Sequence, residues 1–204
     1  MDISFIHLNI VELAKTVGYI GLFIIIFAES GLFFGFFLPG DSLIFTAGLL
    51  ASQQIFNIYA LTTVIVIGAI LGDNVGYWFG RKIGPKIFNR ENSRFFQKAH
   101  IERTHDFYET HGSKAIIIGR FIPIVRTFVP ILAGVGEMYY SKFISYNVIG
   151  GLLWGGGITL LGYSLGASVP NIDKYLLPII VVIVLTSFIP ILFEMLKKSF
   201  KHQN

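Results

Sequence analysis

The amino-acid sequence predicts an all-α polytopic membrane protein: an inverted repeat with two re-entrant helical hairpins, transmembrane helices and a cytoplasmic amphipathic connector. Three observations predict it. Hydrophobic residues make up 53% of the 204 residues and charged residues only 14%, against about 25% charged in an average soluble domain. The apolar residues fall in runs close to the length that crosses about 30 Å of hydrocarbon. Two of those runs are broken by charges and prolines that a lipid-facing helix does not tolerate.

The chain reads as a single membrane domain, with an interfacial helix first, over 1–16. Ile3, Phe5, Ile6, Ile10, Leu13 and Ala14 supply its apolar positions, as expected of a helix lying in the headgroup region. Asp2 stands where a cleaved signal would carry basic residues, and the first long apolar run begins only near Val17, so no signal peptide is expected. The first repeat, 17–80, holds apolar stretches at 17–38, 42–52 and 58–80. A polar connector, 81–113, follows. The second repeat, 114–166, holds stretches at 114–134 and 143–166, and a last transmembrane helix covers 174–196.

Two stretches predict the hairpins. In 17–38 Glu29 interrupts the run and Pro39-Gly40-Asp41 closes it, while 114–134 contains Arg120, Pro123, Arg126 and Pro130. A charge at the bilayer centre costs roughly 2.5–3.5 kcal/mol on insertion scales, and an interior proline removes a helix hydrogen bond. Broken backbone survives at membrane depth only inside protein or along a cavity. Pro39, Gly40, Pro123 and Pro130 are therefore expected hairpin breaks.

The halves repeat. Gly76-Tyr77 follows Ala47-Gly48 by 28 residues, with Gly80 beyond, and Gly162-Tyr163 follows Ala133-Gly134 by the same 28, with Gly166 beyond. Phe37-Leu38-Pro39 parallels Phe121-Ile122-Pro123. Gly68, Gly72, Gly76, Gly80 and Gly84 recur every fourth residue, and Gly151 and Gly155 continue the pattern, which lets helices approach closely in lipid.

Charge sets the expected topology. Eight of the sixteen Lys and Arg fall between Arg81 and Lys114, Lys197, Lys198 and Lys201 lie at the C-terminus, and none lies between Lys15 and Arg81. The positive-inside rule puts the connector and the C-terminus in the cytoplasm. Loop 50–57 is then external, and helices 58–80 and 143–166 run in opposite directions, which inverts the repeats. The connector's basic residues alternate with Glu91, Glu102, Asp106 and Glu109, so no nucleic-acid partner is expected. The absence of cysteine excludes disulfides and thiolate metal sites. His100, His105 and His111 lack helical ligand spacing, and no metal or cofactor is expected. Trp78, Trp154, Tyr77 and Tyr163 read as residues of an interfacial belt.

Embedded charges carry the functional reading. Glu29 and Asp41 would lie about 18 Å apart on a straight helix, so they share one depth only if the chain folds back between them, at Gly31 or Gly35. Arg120 and Arg126 would be about 120° apart on an ideal helix, and a break at Pro123 would turn both toward one cavity. Arginine stays charged, and its planar fork fits phosphate oxygens. Embedded carboxylates exchange protons near neutral pH. Arg120 and Arg126 are thus the expected substrate-binding residues and Glu29 and Asp41 the proton-coupling residues, with Asp73 and Tyr77 in support. The expected partners are a phosphate-bearing lipid, protons and the membrane; a homo-oligomer is compatible with the sequence.

The residues also carry a resemblance. Glu29 with Phe37-Leu38-Pro39-Gly40-Asp41, Gly72-Asp73 with Gly76-Tyr77 and Gly80-Arg81, Gly119-Arg120-Phe121-Ile122-Pro123 with Arg126-Thr127 and Ala133-Gly134, and Met138 with Phe143 resemble the DedA family, also described as the SNARE-associated or VTT domain. The match spans about 20–166. The resemblance implies a bacterial inner-membrane protein with two opposed re-entrant hairpins. It implies flipping of undecaprenyl phosphate or of phospholipids such as phosphatidylethanolamine, a link to envelope integrity, and dependence on the proton motive force. It makes Glu29 and Asp41 the essential acids and Arg120 and Arg126 the essential bases.

Two other classes compete with a lipid transporter. A membrane phosphatase acting on undecaprenyl pyrophosphate would use a Pro-Gly-x-Ser loop such as Pro39-Gly40-Asp41-Ser42, but Leu43 stands where an arginine is needed, so no enzyme is expected. A proton-coupled small-cation or drug transporter would bind its cation at Glu29 and Asp41, and the embedded arginines repel it.

Overall fold

Among the described residues every regular element is helical. The computed structural model describes residues 18–32, 40–88 and 114–169. The expected interfacial helix, Pro39, connector residues 89–113 with their histidines, and the helix expected at 174–196 lie outside them. The helices are α1 (Gly18–Gly31), α2 (Gly40–Ser52), α3 (Ile58–Phe88), α4 (Lys114–Gly119), α5 (Pro123–Val135), α6 (Tyr140–Gly151) and α7 (Gly157–Ser168). A π-helical turn, Leu152–Gly156, joins α6 to α7 without interruption.

Among the described residues two helices are long and apolar enough to cross a membrane, Ile58–Ile83 and Tyr140–Ser168. α2 and α5 have 13 residues each, about 20 Å at 1.5 Å per residue, short of the hydrocarbon thickness. The run 114–134 breaks as expected: α4 stops at Gly119 and α5 starts on Pro123, where the missing N–H costs nothing. Three boundaries differ from expectation. Gly40 is the first residue of α2 rather than a break before it. Pro130 lies inside α5, which continues to Val135; its buried ring packs toward Gly76 on α3. α3 runs on to Phe88, because Arg81 and Lys82 point outward and leave its backbone ladder intact.

The ends of α2 and α5 repeat one another. Ile55 N–H reaches Leu50 O and Gln54 N–H reaches Ala51 O, just as Met138 N–H reaches Ala133 O and Glu137 N–H reaches Gly134 O. Both are Schellman ends. Each carries a non-glycine residue in the left-handed region, Gln54 at φ 61° and Glu137 at φ 54°. Asn57 then caps α3, its Oδ1 accepting from the N–H groups of Tyr59 and Ala60.

Two apolar clusters stand on either side of a polar layer. The first holds Leu22 and Ile26 of α1, Ile44, Ala47 and Ala51 of α2, Leu61, Ile65 and Ala69 of α3, and Trp154. The second holds Tyr77 of α3, Ile116 of α4, Val129 and Ala133 of α5, Met138, and Phe143 of α6. Along α3 the order is Ala69, Asp73, Tyr77, from first cluster through the layer to second. Along α6 and the π turn it is Phe143, Asn147, Trp154, the reverse. α1 and α2 both leave the layer into the first cluster, and α4 and α5 both leave it into the second.

Glycines set the cross-packing. α2 lies on α7, and α5 lies on α3. A Cβ on Gly48 would overlap the Thr159 carbonyl, and one on Gly162 the Phe45 carbonyl. On the other side a Cβ on Gly80 would overlap the Ile131 carbonyl, and one on Gly134 the Tyr77 carbonyl. The exterior is the inverse of a water-soluble surface: Ile67, Leu71, Val75, Trp78 and Phe79 on α3 and Leu152, Leu153, Leu160, Leu161 and Leu165 on the second long helix are exposed, while Glu29, Asp73, Arg120, Arg126 and Asn147 are buried. An apolar face of that extent belongs against lipid.

Substitution of Gly48 or Gly134 by Ala should therefore destabilise the protein by about 1–3 kcal/mol, since the obstacle is backbone that cannot step aside. Gly21→Ala, inside α1 where a Cβ meets nothing within 4 Å, should leave stability unchanged or raise it by up to about 1 kcal/mol. Apparent melting temperature in detergent measures both.

Candidate functional site

Three segments far apart in sequence meet at Arg126, in the first turn of α5. Its Nη2 donates to Glu29 Oε1 and its Nη1 to Asp41 Oδ1, the latter at 2.7 Å. Glu29 closes the last turn of α1, and its carboxylate fills the space a side chain on Gly40 would need. Glycine at 40 is thus what lets α2 start against that carboxylate. Asp41 accepts a second hydrogen bond, from Trp154 Nε1 at 2.8 Å, and the Arg126 guanidinium carbon lies 4.7 Å from the centre of the Trp154 ring. The cluster is sealed on one side and open on the other: the side chains of Glu29 and Arg126 are 0% and 3% exposed, that of Asp41 45%.

Arg120, in the turn between α4 and α5, has its own partners. Its Nη2 donates to Asp73 Oδ2 and to Asn147 Oδ1, and Asn147 Nδ2 donates in turn to Ile70 O at 3.1 Å. Gly150 and Gly151 leave room for the Arg120 side chain along α6. This pair is closed to solvent, with Arg120 2% and Asp73 1% exposed. Arg126 lies within Coulombic reach of both. Among the described residues, Arg126 Nε and Arg120 Nε and Nη1 have no hydrogen-bond partner.

The structure brings Glu29, Asp41 and Arg126 together, so one guanidinium holds both acids; of the two positions expected to turn the chain between them, Gly31 is still helical and Gly35 lies outside the described residues. Arg120 lies beside that cluster, and Asp73 is its counter-ion. Tyr77 sits in the second apolar cluster. Its hydroxyl donates to Met138 O and accepts from Arg81 Nη1 at 2.7 Å, and its ring stacks on Phe143. Trp154 and Tyr77 are fully buried, so neither belongs to an interfacial belt; their polar atoms find partners inside. Trp154 and Asn147 are the site residues that sequence reasoning missed. Their spacing of seven, on one face of a helix that is otherwise apolar and small there, was the available signal. Among the described residues no group of three metal-ligating side chains forms.

Comparison with known proteins identifies a family and relatives of this chain. A family model described as the VTT domain matches residues 38–164. Protein DedA of Escherichia coli K12 is 44% identical over 197 residues, covering 94% of this chain and 90% of its own. An uncharacterised membrane protein of Mycobacterium leprae is 46% identical over 169 residues, covering 83% and 75%. Inner membrane protein YqjA of Escherichia coli K12 is 36% identical over 157 residues, covering 77% and 71%. No solved structure matches the chain.

Because Arg120 and Asp73 balance each other in a closed space, removing one partner should cost more than removing both. Asp73→Leu is expected to destabilise by about 3–5 kcal/mol, and Asp73→Leu with Arg120→Met to recover most of that loss. Thermal unfolding in detergent of the two single variants and the double variant checks it.

Proposed function

This chain belongs to the DedA family of membrane proteins, and from that premise we propose that it is a lipid transporter. It moves a phosphate-bearing lipid, undecaprenyl phosphate or a phospholipid such as phosphatidylethanolamine, across the bacterial inner membrane, coupled to protons. In this reading the chain is multi-pass, its connector and C-terminus face the cytoplasm, and α1–α2 and α4–α5 are two re-entrant hairpins entering from opposite leaflets. The reversed order of apolar cluster, polar layer and apolar cluster along the two long helices supports the inversion. So does the return of each short helix pair to the side it came from.

One observation carries the chemistry. The two Nη groups of Arg126 each hold a carboxylate oxygen, from different residues, and two such oxygens stand where two phosphate oxygens would bind. Two carboxylates against one guanidinium leave one negative charge in excess, which a proton neutralises. A headgroup phosphate can then take the guanidinium as the acids take up protons, and its departure releases them. Arg120 stands beside the cluster with Asp73 as its counter-ion, and half-exposed Asp41 marks the entrance. The exposed apolar faces of the long helices suit a substrate whose tail stays in the bilayer.

Proteoliposomes containing labelled undecaprenyl phosphate or phosphatidylethanolamine, with and without a pH gradient, test the reading. The wild-type protein should move at least one of them. Arg126→Gln should lower the rate at least tenfold, and Glu29→Gln should remove the response to the gradient. Wild-type rates from Arg126→Gln would refute the proposal, and release of phosphate from a lipid pyrophosphate would favour the phosphatase instead.

A further inference from the structure

Trp154 is the bulkiest fully buried side chain, and it touches both charges of the open side of the site. Its N–H and Arg126 Nη1 converge on one oxygen, Asp41 Oδ1, at 2.8 and 2.7 Å. Its ring meanwhile lies within cation–π range of the same guanidinium, at 4.7 Å. A tryptophan that only filled the first apolar cluster would need an acceptor for its N–H, which a backbone carbonyl could supply, and would need no cation on its face.

The backbone around it is unusual too. Leu152–Gly156 is a π turn, a form that appears mostly as single turns at functional sites. Three glycines in a row, Gly155 to Gly157, weaken the α-helical alternative. The wider turn lets one helix direct Gly150 and Gly151 toward Arg120 and Trp154 toward Asp41.

We infer that Trp154 is the positioning residue of the exchange site: it holds Asp41 by its N–H and Arg126 by its face, so the two can separate without either leaving its place. The inference rests on Arg126 being the headgroup ligand. When a phosphate takes the guanidinium, Asp41 keeps a donor. The covered face of Arg126 leaves its edge as the way in, the edge that the two acids occupy. Trp154→Phe keeps the ring and removes the donor, so displacing Asp41 becomes harder and headgroup affinity should fall about tenfold, the loss of one hydrogen bond to a charged group. Trp154→Leu removes both contacts and should lower it further.

The 204-residue chain has two tryptophans, and Trp78 is exposed on α3, so Trp78→Phe leaves Trp154 as its only indole emitter. In that background Asp41→Asn and Arg126→Gln should each shift the Trp154 emission, and dihexanoyl phosphatidic acid should shift it saturably. Affinity for that lipid, read by calorimetry because the Trp154 variants lose the reporter, should fall in the order wild type, Trp154→Phe, Trp154→Leu, with the melting temperature of Trp154→Phe within a few degrees of wild type. In the Asp41→Asn background Trp154→Phe should cost no further affinity. Emission blind to both charge substitutions overturns the inference, as does a Trp154→Phe loss equally large with Asn at 41. Emission that moves with both substitutions but not with phosphatidic acid upholds the tryptophan's role and overturns the lipid reading instead.

Discussion

A guanidinium in a low-dielectric interior must be answered, and answering Arg126 organises much of this fold. An isolated ion there costs far more than the few kcal/mol by which a domain is stable. The two carboxylates come from the end of α1 and the start of α2, so the first two helices must converge. Gly40 has no side chain because the Glu29 carboxylate takes its place. α5 opens on Pro123, which breaks the run and brings Arg126 into the first turn of the new helix. The π turn that carries Trp154 supplies the remaining contact. Each feature is unfavourable or unremarkable alone, and the ion pair gives them a common reason.

The packing that surrounds the charges follows from a solvent that gives no hydrophobic drive. Lipid tails are as apolar as leucine, so helices associate by close contact and by polar bonds. This explains why the large apolar side chains lie outside while glycine fills the contacts of α2 with α7 and of α5 with α3. Where Gly31 of α1 meets Gly72 of α3, backbone touches backbone, two residues from Glu29 on the first helix and one residue from Asp73 on the second. Close helix approach therefore reaches the polar layer itself, and it fixes that layer's geometry more rigidly than long side chains could.

Sequence reasoning reached the charged residues and stopped short of what holds them. Glu29, Asp41 and Arg126 were legible because a charge in an apolar run is costly and needs a reason, and the fold-back between the acids followed from helix rise alone. The break at Pro123 was legible from its position after Arg120. Trp154 was not, since an indole is equally at home in a lipid interface and in a core, and only its neighbours decide which. Asn147 was overlooked for a related reason: one amide in a helix is cheap if it bonds a carbonyl, as its Nδ2 does with Ile70 O, and nothing local says that its Oδ1 also accepts from Arg120. The end of α3 was misplaced because Arg81 and Lys82 look like a boundary by composition, whereas a helix carries outward-facing cations without changing its backbone.

The two arginines are not equivalent, and the difference lies in their counter-charges. Arg120 faces one carboxylate and one neutral amide, in a space closed to solvent. Its charge is balanced, and any anion entering there would have to displace Asp73 into hydrocarbon. Arg126 faces two carboxylates, one of them half exposed. That cluster carries negative charge beyond balance and has a path to the surface, so a proton can enter it and a carboxylate can leave the guanidinium without being buried alone. An exchange site needs a partner that is bound well but can be released, and a structural clamp needs one that cannot. By that criterion Arg120 with Asp73 secures the tip of α4–α5 against both long helices, and the proposed exchange belongs to Arg126.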